Sequence, residues 1–501
     1  MADPVTSCNG LSAPHCDQLE VQPASVAPAV AVAFVRGPKD AYAAKSDVPK
    51  AASDPKASVP FAVRMHQPTP VQTTAAIDKS DARFSALAEL AREYYTGLKS
   101  YPSMTAAGYT LIYGPLADVA PENEVARARS TMWQLDRIHS WDPDVVALFG
   151  SLSIAAAERD GRHAAFTLKH APGYGHLEGG LETTKKLPKE TRSLKDVERD
   201  FKPFRVLLDR FGPETAAVMI GGAILEAVDP NHPSVFSPKT VRWVRDNLGP
   251  QGEKTVLVTD DINTSIFTEY LDGQMGKEKK TNARSRLEKI KFMIKRLVEA
   301  DVDIMLDYGS ISSYGGLKLF ANAGKELLDE GAISRKALER SVKRILHMKA
   351  RIYPDHPLLK DIDATVAAMT DEQLFWQKLV VPCAWGSEKD QSRFAANFGV
   401  GLTMEGLEEY LPRVQEYTHE AVKTALTPPP FVANNSPQEL AGLDNRGNSK
   451  FRFESKPIHK FTELVEKLFP DGIPAGFMDA IYEDITKPKD MLALAEQDSG
   501  A

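Results

Sequence analysis

The sequence predicts an α/β fold, a (β/α)8 barrel followed by a mostly helical C-terminal extension. Two observations carry that expectation. Strand-like apolar runs alternate with helix-like amphipathic runs from about residue 29 to residue 352, the order expected of parallel-strand architecture. Two of those runs, Ala164–His170 and Thr255–Asp260, end abruptly in polar, chemically competent residues. In a β/α barrel the strand C-termini open onto the active-site face, so residues there read as functional. A chain of 501 residues can hold one barrel of about 250–350 residues plus an appendage.

Residues 1–28 read as an N-terminal segment expected to be mobile. Ala29–Val35 is a Val/Ala-rich strand and Pro60–Met65 a second. Leu111-Ile112-Tyr113 runs into a turn at Gly114-Pro115. Asp142–Arg159 is a helix, with an Asp N-cap and Pro143 at the first helical position. Ala164–His170 is the next strand. Ser193–Phe211 starts with Ser193 and carries Asp196 three residues on, close to a capping box, and Pro203 should kink or split it. Ala216–Ile220 is a strand, Ser237-Pro238 opens a helix, and Thr255–Asp260 and Val302–Tyr308 are further strands. Ser334–Ile352 closes residues 29–352 as a basic amphipathic helix. Strand patterns are scarce in residues 353–501. Short helices such as Met404–Leu411 and His459–Leu468 are joined by polar loops, with Leu426–Lys456 as loop or linker. That segment reads as an extension packed on the barrel, of unknown role and able to meet a protein partner.

Composition narrows the function. Hydrophobic content of 43% and charged content of 26% fit a soluble globular protein. A net charge of −7 argues against nucleic acid as a partner. The three cysteines, Cys8, Cys16 and Cys383, form neither a disulfide framework nor a zinc ligand set, and no metal or cofactor is expected. No GxGxxG follows a strand, which weakens a dinucleotide reading. No run approaches about 18 apolar residues, so no membrane partner is expected. The opening Met1-Ala2-Asp3-Pro4 lacks a basic stretch, and the expected location is cytoplasmic.

The strand ends hold the chemistry. Asp260 reads either as a carboxylate able to attack an anomeric carbon or as a helix N-cap at a strand-loop boundary. Lys169 and His170 could hydrogen-bond sugar hydroxyls; alternatively they are a salt-bridged lysine and a core histidine. Arg137 could bind a sugar through its fork of donors or serve as a surface ion-pair partner. The Gly-rich loop after His170 lets backbone approach a ligand closely. It holds His176, Glu178 and Glu182, each able to donate a proton if suitably placed and each equally able to sit in solvent. Together these are the equipment of a retaining glycosidase acting on a small saccharide.

In order along the chain, these motifs resemble glycoside hydrolase family 3, in its single-barrel bacterial branch of cytoplasmic β-N-acetylglucosaminidases of cell-wall recycling. The branch's K-H-F-P-G-H-G looks like Lys169-His170-Ala171-Pro172-Gly173-Tyr174-Gly175, and its S-D-D-L looks like Thr259-Asp260-Asp261-Ile262. Its F-x-P-V-x-D-V looks like Tyr113 to Val119, and its R-S-F-x-x-D-P-x-V-V looks like Arg137 to Val146. The resemblance covers roughly residues 29–352 and implies a TIM-like barrel. It implies Asp260 as nucleophile, Lys169 and His170 as the substrate-binding pair, and Arg137 as a sugar contact. Three motifs depart. Gly180, Leu181 and Glu182 stand where the branch carries the Asp-Ser-His of its acid/base, Met65 stands for a sugar-holding Asp, and Tyr174 stands for the second His.

The leading expectation is therefore a retaining β-N-acetylhexosaminidase-like enzyme with Asp260 as nucleophile and Glu182, His176 or Glu178 as replacement acid/base. A family-3-like barrel that binds a saccharide or a protein without catalysis is the alternative. A barrel enzyme using Lys169 as a Schiff-base amine is a third reading.

Overall fold

The computed structural model describes residues 30–32, 77–382 with interruptions, 432–433 and 452–487; the longer interruptions are 99–109 in part, 179–186, 276–282 and 307–313. The segment 1–28, the expected strand Pro60–Met65, the expected helix Met404–Leu411, Glu182 and the three cysteines lie outside the described residues, as does most of Leu426–Lys456.

The strands are β1 (Val30–Val32), β2 (Leu111–Ile112), β3 (Ala165–Ala171), β4 (Lys189–Glu190), β5 (Ala216–Ile220), β6 (Ile224–Leu225), β7 (Leu257–Thr259), β8 (Met305–Leu306), β9 (Leu379–Pro382) and β10 (Val432–Ala433). All ladders between them are parallel. One sheet runs β10-β2-β3-β5-β7 and another β1-β9-β8. Val258 bridges Ile304 between β7 and β8, and the Thr259 N–H donates to the Ile304 carbonyl at 2.9 Å. The two sheets therefore continue one another in the order β10, β2, β3, β5, β7, β8, β9, β1. Among the described residues the pairings end at β10 and β1. Strands β4 and β6 form a separate pair.

Strand residues alternate between two apolar environments, as a period of two requires. Ile112, Phe166, Leu168, Val218, Ile220 and Leu257 pack in the large core against the flanking helices. Leu111, Tyr113, Ala165, Ala217, Met219, Val256, Val258, Ile304 and Leu306 gather on the other face as a second core. Both faces are buried, which is why these strands read as near-continuous apolar runs rather than as polar-apolar alternation.

The helices that matter for the site are set by local signals. Helix α1 (Ala82–Gly97) is capped by Asp81. Helix α2 (Pro143–Glu158) follows an Asp142 carboxylate that accepts from the Asp144 and Val145 N–H groups, with proline at its start. Ser193 caps α3 (Leu194–Asp200), and α4 (Lys202–Phe211) begins anew after Phe201. Pro203 has no N–H to continue the ladder, so the expected single helix is split there. Helix α5 (Pro238–Asn247) is capped by Ser237 and α6 (Arg335–Ile352) by Ser334. Helix α6 spans both cores: Leu338, Val342 and Leu346 enter the first, Ile345, Met348 and Ile352 the second. Among the described residues no helix is long and apolar enough to cross a membrane.

Residues beyond 352 contribute directly to this body. Strands β9 and β10 lie in the sheet order above. Helices α7 (Arg452–Leu468) and α8 (Phe477–Thr486) share the first core with α1 and α2. Phe477 meets Phe84 edge-on at 5.6 Å between centroids, and Phe461 meets Phe149 at 5.1 Å. Arg92 pairs with Asp484 at 2.6 Å across the same contact.

Candidate active site

Because the strands are parallel, the ends of β2, β3, β5 and β7 share one rim. Asp260 follows β7. Its N–H donates to the Ile220 carbonyl at the end of β5 (3.0 Å), and its Oδ1 accepts from the Asp261 N–H (2.9 Å). The carboxylate is half-buried.

Asp118, in the loop after β2, organises the end of β3. Its side chain is fully buried, and it accepts from the His170 backbone N–H (3.1 Å), from His170 Nδ1 (2.9 Å) and from the Tyr174 N–H (2.7 Å). A carboxylate acceptor at Nδ1 makes that nitrogen the donor. The Lys169–His170 and Ala171–Pro172 peptide bonds are cis. The Lys169 side chain is buried, and its carbonyl accepts from the Ala117 N–H at 2.8 Å.

Tyr174 joins the two carboxylate centres. Its ring stacks on His170 with centroids 4.5 Å apart. Its hydroxyl accepts from the Gly222 N–H and donates to Asp260 Oδ2 at 3.4 Å. Burial raises the phenol well above its ordinary value, and the negative charge of Asp260 adds to the shift. Tyr113, at the end of β2, is also raised by burial and by Asp260, and its buried hydroxyl has no hydrogen-bond partner among the described residues.

The sequence candidates divide. His170 and Asp260 come together through Tyr174, with Lys169 beside them on β3. Arg137 is half-buried, and its N–H donates to the Met132 carbonyl at 3.0 Å. The adjoining Ile138 packs in one apolar cluster with Leu116, Tyr174 and Leu177, which sets the Arg137 segment against the same loop. His176 turns to α3, where its Nε2 lies 3.1 Å from Asp200 Oδ2. Asp200 also accepts from Arg192 at 2.7 Å, and the Arg192 fork holds Glu190. Burial alone would raise the Asp200 carboxyl, but the adjacent His176 imidazole and the hydrogen bond from Arg192 outweigh it and hold it low. Glu178 is exposed and pairs with Arg129 at 3.3 Å.

Three residues of this arrangement escaped sequence reasoning. Asp118 was visible inside the Tyr113–Val119 motif, but nothing in the sequence announces its three donors. Tyr174 stood out only as a departure. Asp200 carries no local signal, since the fold alone brings it to His176. Among the described residues, no cluster of three or more His, Cys, Asp or Glu side chains could hold a metal ion.

The family model for the glycosyl hydrolase family 3 N terminal domain matches residues 80–348. The chain belongs to glycosyl hydrolase family 3. No curated protein matched the chain. Similar solved structures include CbsA from Thermotoga neapolitana, at 21% identity and a TM-score of 0.39, covering 53% of this chain and 50% of that one. A family 3 β-N-acetylglucosaminidase from Paenibacillus sp. str. FPU-7 is 23% identical with a TM-score of 0.40, covering 58% and 50%. The β-N-acetylhexosaminidase of Beutenbergia cavernae DSM 12333 is 21% identical with a TM-score of 0.38, covering 54% and 69%. The chain thus spans about half the length of the Thermotoga and Paenibacillus proteins.

Proposed function

We propose that the chain is a retaining glycosidase that cleaves a β-linked N-acetylhexosamine or a related glycoside, with Asp260 as nucleophile. The reading includes closure of the parallel strands into a (β/α)8 barrel. One observation carries it: the Asp260 carboxylate stands at the end of β7 and is joined through Tyr174 to the His170–Asp118 pair at the end of β3. Family membership supports it.

The chemistry then runs in two steps. An Asp260 oxygen attacks the anomeric carbon as the glycosidic C–O bond breaks, and the departing oxygen takes a proton from the general acid. Water gives its proton to the same group and attacks the anomeric carbon. The ester bond to Asp260 breaks, and the sugar leaves with its original configuration. We assign the proton to His176, oriented by Asp200, which together supply an imidazole and a carboxylate partner from separate segments. Glu182 is the competing candidate. Lys169, His170 and Arg137 bind the sugar hydroxyls.

A panel of nitrophenyl glycosides tests the reading. The parent should hydrolyse the N-acetyl-β-glucosaminide, and Asp260→Ala should lower kcat/KM by about 10⁴-fold or more. A 2-fluoro glycoside should leave a covalent adduct on Asp260, read by peptide mass spectrometry. Equal rates in parent and variant would refute the nucleophile assignment. His176→Ala should lose about 10²–10⁴-fold on substrates with poor leaving groups, and Glu182→Gln little.

A barrel that binds saccharide without cleaving it is favoured by a single feature. The Tyr174 ring, 1% exposed, occupies the space between His170 and Asp260. Calorimetric sugar binding with no product over days would support that reading, and covalent trapping would eliminate it.

A further inference from the structure

We infer that Tyr174 is a positioning residue for Asp260, its hydroxyl steering the carboxylate into line for attack. The inference rests on the proposed nucleophilic role of Asp260.

A carboxylate that must meet an anomeric carbon needs both of its oxygens controlled, because rotation about the terminal bond of Asp is broad and soft. Asp260 Oδ1 is tied to the next amide, the Asp261 N–H at 2.9 Å. That bond is local and leaves Oδ2 to be fixed by something else. Tyr174 reaches Oδ2, and its backbone, ring and hydroxyl are each constrained. Its N–H is held by Asp118, its ring lies against His170, and its oxygen accepts from the Gly222 N–H. With the backbone amide occupying a lone pair, the phenolic proton points to Asp260.

The wall behind the ring is shaped for it. Gly221 has no Cβ, and a Cβ there would stand 2.5–2.6 Å from the Tyr174 ring and hydroxyl. The oxygen is therefore seated by β5 as well as by its own loop. At 3.4 Å the bond to Asp260 is long for O–H···O. Hydrogen bonds of this kind tighten once a ligand excludes water. A phenol that keeps its proton far above neutral pH, as burial and the Asp260 charge ensure here, remains a donor throughout the working range.

If the side chain only filled space, phenylalanine would serve as well. Tyr174→Phe keeps the ring and the His170 stack and removes the donor. We expect kcat on an aryl glycoside to fall about ten-fold with KM little changed, as for an interaction made mainly in the transition state. Tyr174→His, which restores a donor, should lie between Phe and the parent in kcat, again with KM little changed, and it replaces Phe as the test if that variant does not fold.

The controls separate two failures. If Asp260→Ala abolishes activity while Tyr174→Phe keeps the parent's kcat, the positioning role is overturned and the glycosidase reading stands. Should Phe fail to fold, a Tyr174→His kcat more than about ten-fold below the parent's would overturn the role. A parent that hydrolyses no glycoside, or one that hydrolyses it equally well without Asp260, overturns both.

Discussion

Lys349 is fully buried on α6, where its Nζ donates to Gln377 Oε1 at 2.6 Å. Burial pulls its ammonium down from 10.5 to about 7. The folded chain gives up this proton near pH 7, whereas the unfolded chain keeps it to about 10.5. Between those values the unfolded state holds more protons, so this group makes stability climb as pH rises and fall as pH drops toward 7. Below about 7 both states are charged and the dependence levels off. Lys349→Met should therefore be more stable than the parent at pH 7, by roughly 1–4 kcal/mol, with the gap narrowing toward pH 10. Urea unfolding of both proteins across that range checks it, and a variant that is less stable at pH 7 contradicts it. At this scale the sequence was informative where chemistry sat at a strand end. Lys169, His170 and Asp260 could be picked out because apolar runs stop at them. Lys349 could not, since a lysine in a basic amphipathic helix looks like any other until the fold buries it. The same holds for Asp200, whose partner His176 is supplied by another segment.

Asp303, at the entry to β8, ties several elements together. It is fully buried, and its Oδ1 accepts from Arg344 Nε (2.9 Å) and Ser341 (2.7 Å) on α6. Its Oδ2 accepts from the Leu257 N–H of β7 (2.8 Å) and from Arg245 of α5 (3.2 Å). Burial by itself would raise the carboxyl, but Arg344, Arg245 and Lys378 overcome that and hold it below its ordinary 3.8. A carboxyl so depressed contributes stability above its unfolded value and loses it as pH falls through the folded one, here below about pH 4. Asp303→Ala leaves two arginines without their buried partner and should cost about 3–5 kcal/mol at pH 7. The variant should also show a flatter acid limb in a pH-dependent melt. An unchanged limb would remove Asp303 as its source. Most elements were legible because their signals are local. Asp142-Pro143, Ser193 with Pro203, Ser237-Pro238 and Ser334 each mark a helix start or break, and the structure has each. Strands β9 and β10 were not, because Leu379–Pro382 and Val432–Ala433 are too short to show a period and gain their identity from neighbours on β8 and β2.

Across the whole molecule, α7 and α8 cover the outer surface of α1 and α2. Phe461, Val465, Phe477 and Ile481 are buried in the same core as Phe84, Leu87 and Phe149. Polar contacts fix the docking: Thr462 Oγ1 donates to Ser140 Oγ at 3.0 Å, and Trp141 Nε1 donates to Glu466. Ending the chain after residue 451 would bare that apolar face. The shortened protein should aggregate or lose its cooperative melt, judged by size-exclusion chromatography and calorimetry. A monomer with the parent's Tm would show these helices to be dispensable. The sheet carries a further consequence for synthesis. The partner of β2 on one side is β10, and the partner of β8 is β9. While the ribosome is still making the middle of the chain, β2 and β8 present bare hydrogen-bonding edges that only later residues can occupy. Such distant partnerships slow assembly and leave an intermediate exposed to self-association. Growth temperature and the supply of chaperones should therefore govern how much of the newly made polypeptide reaches its working form.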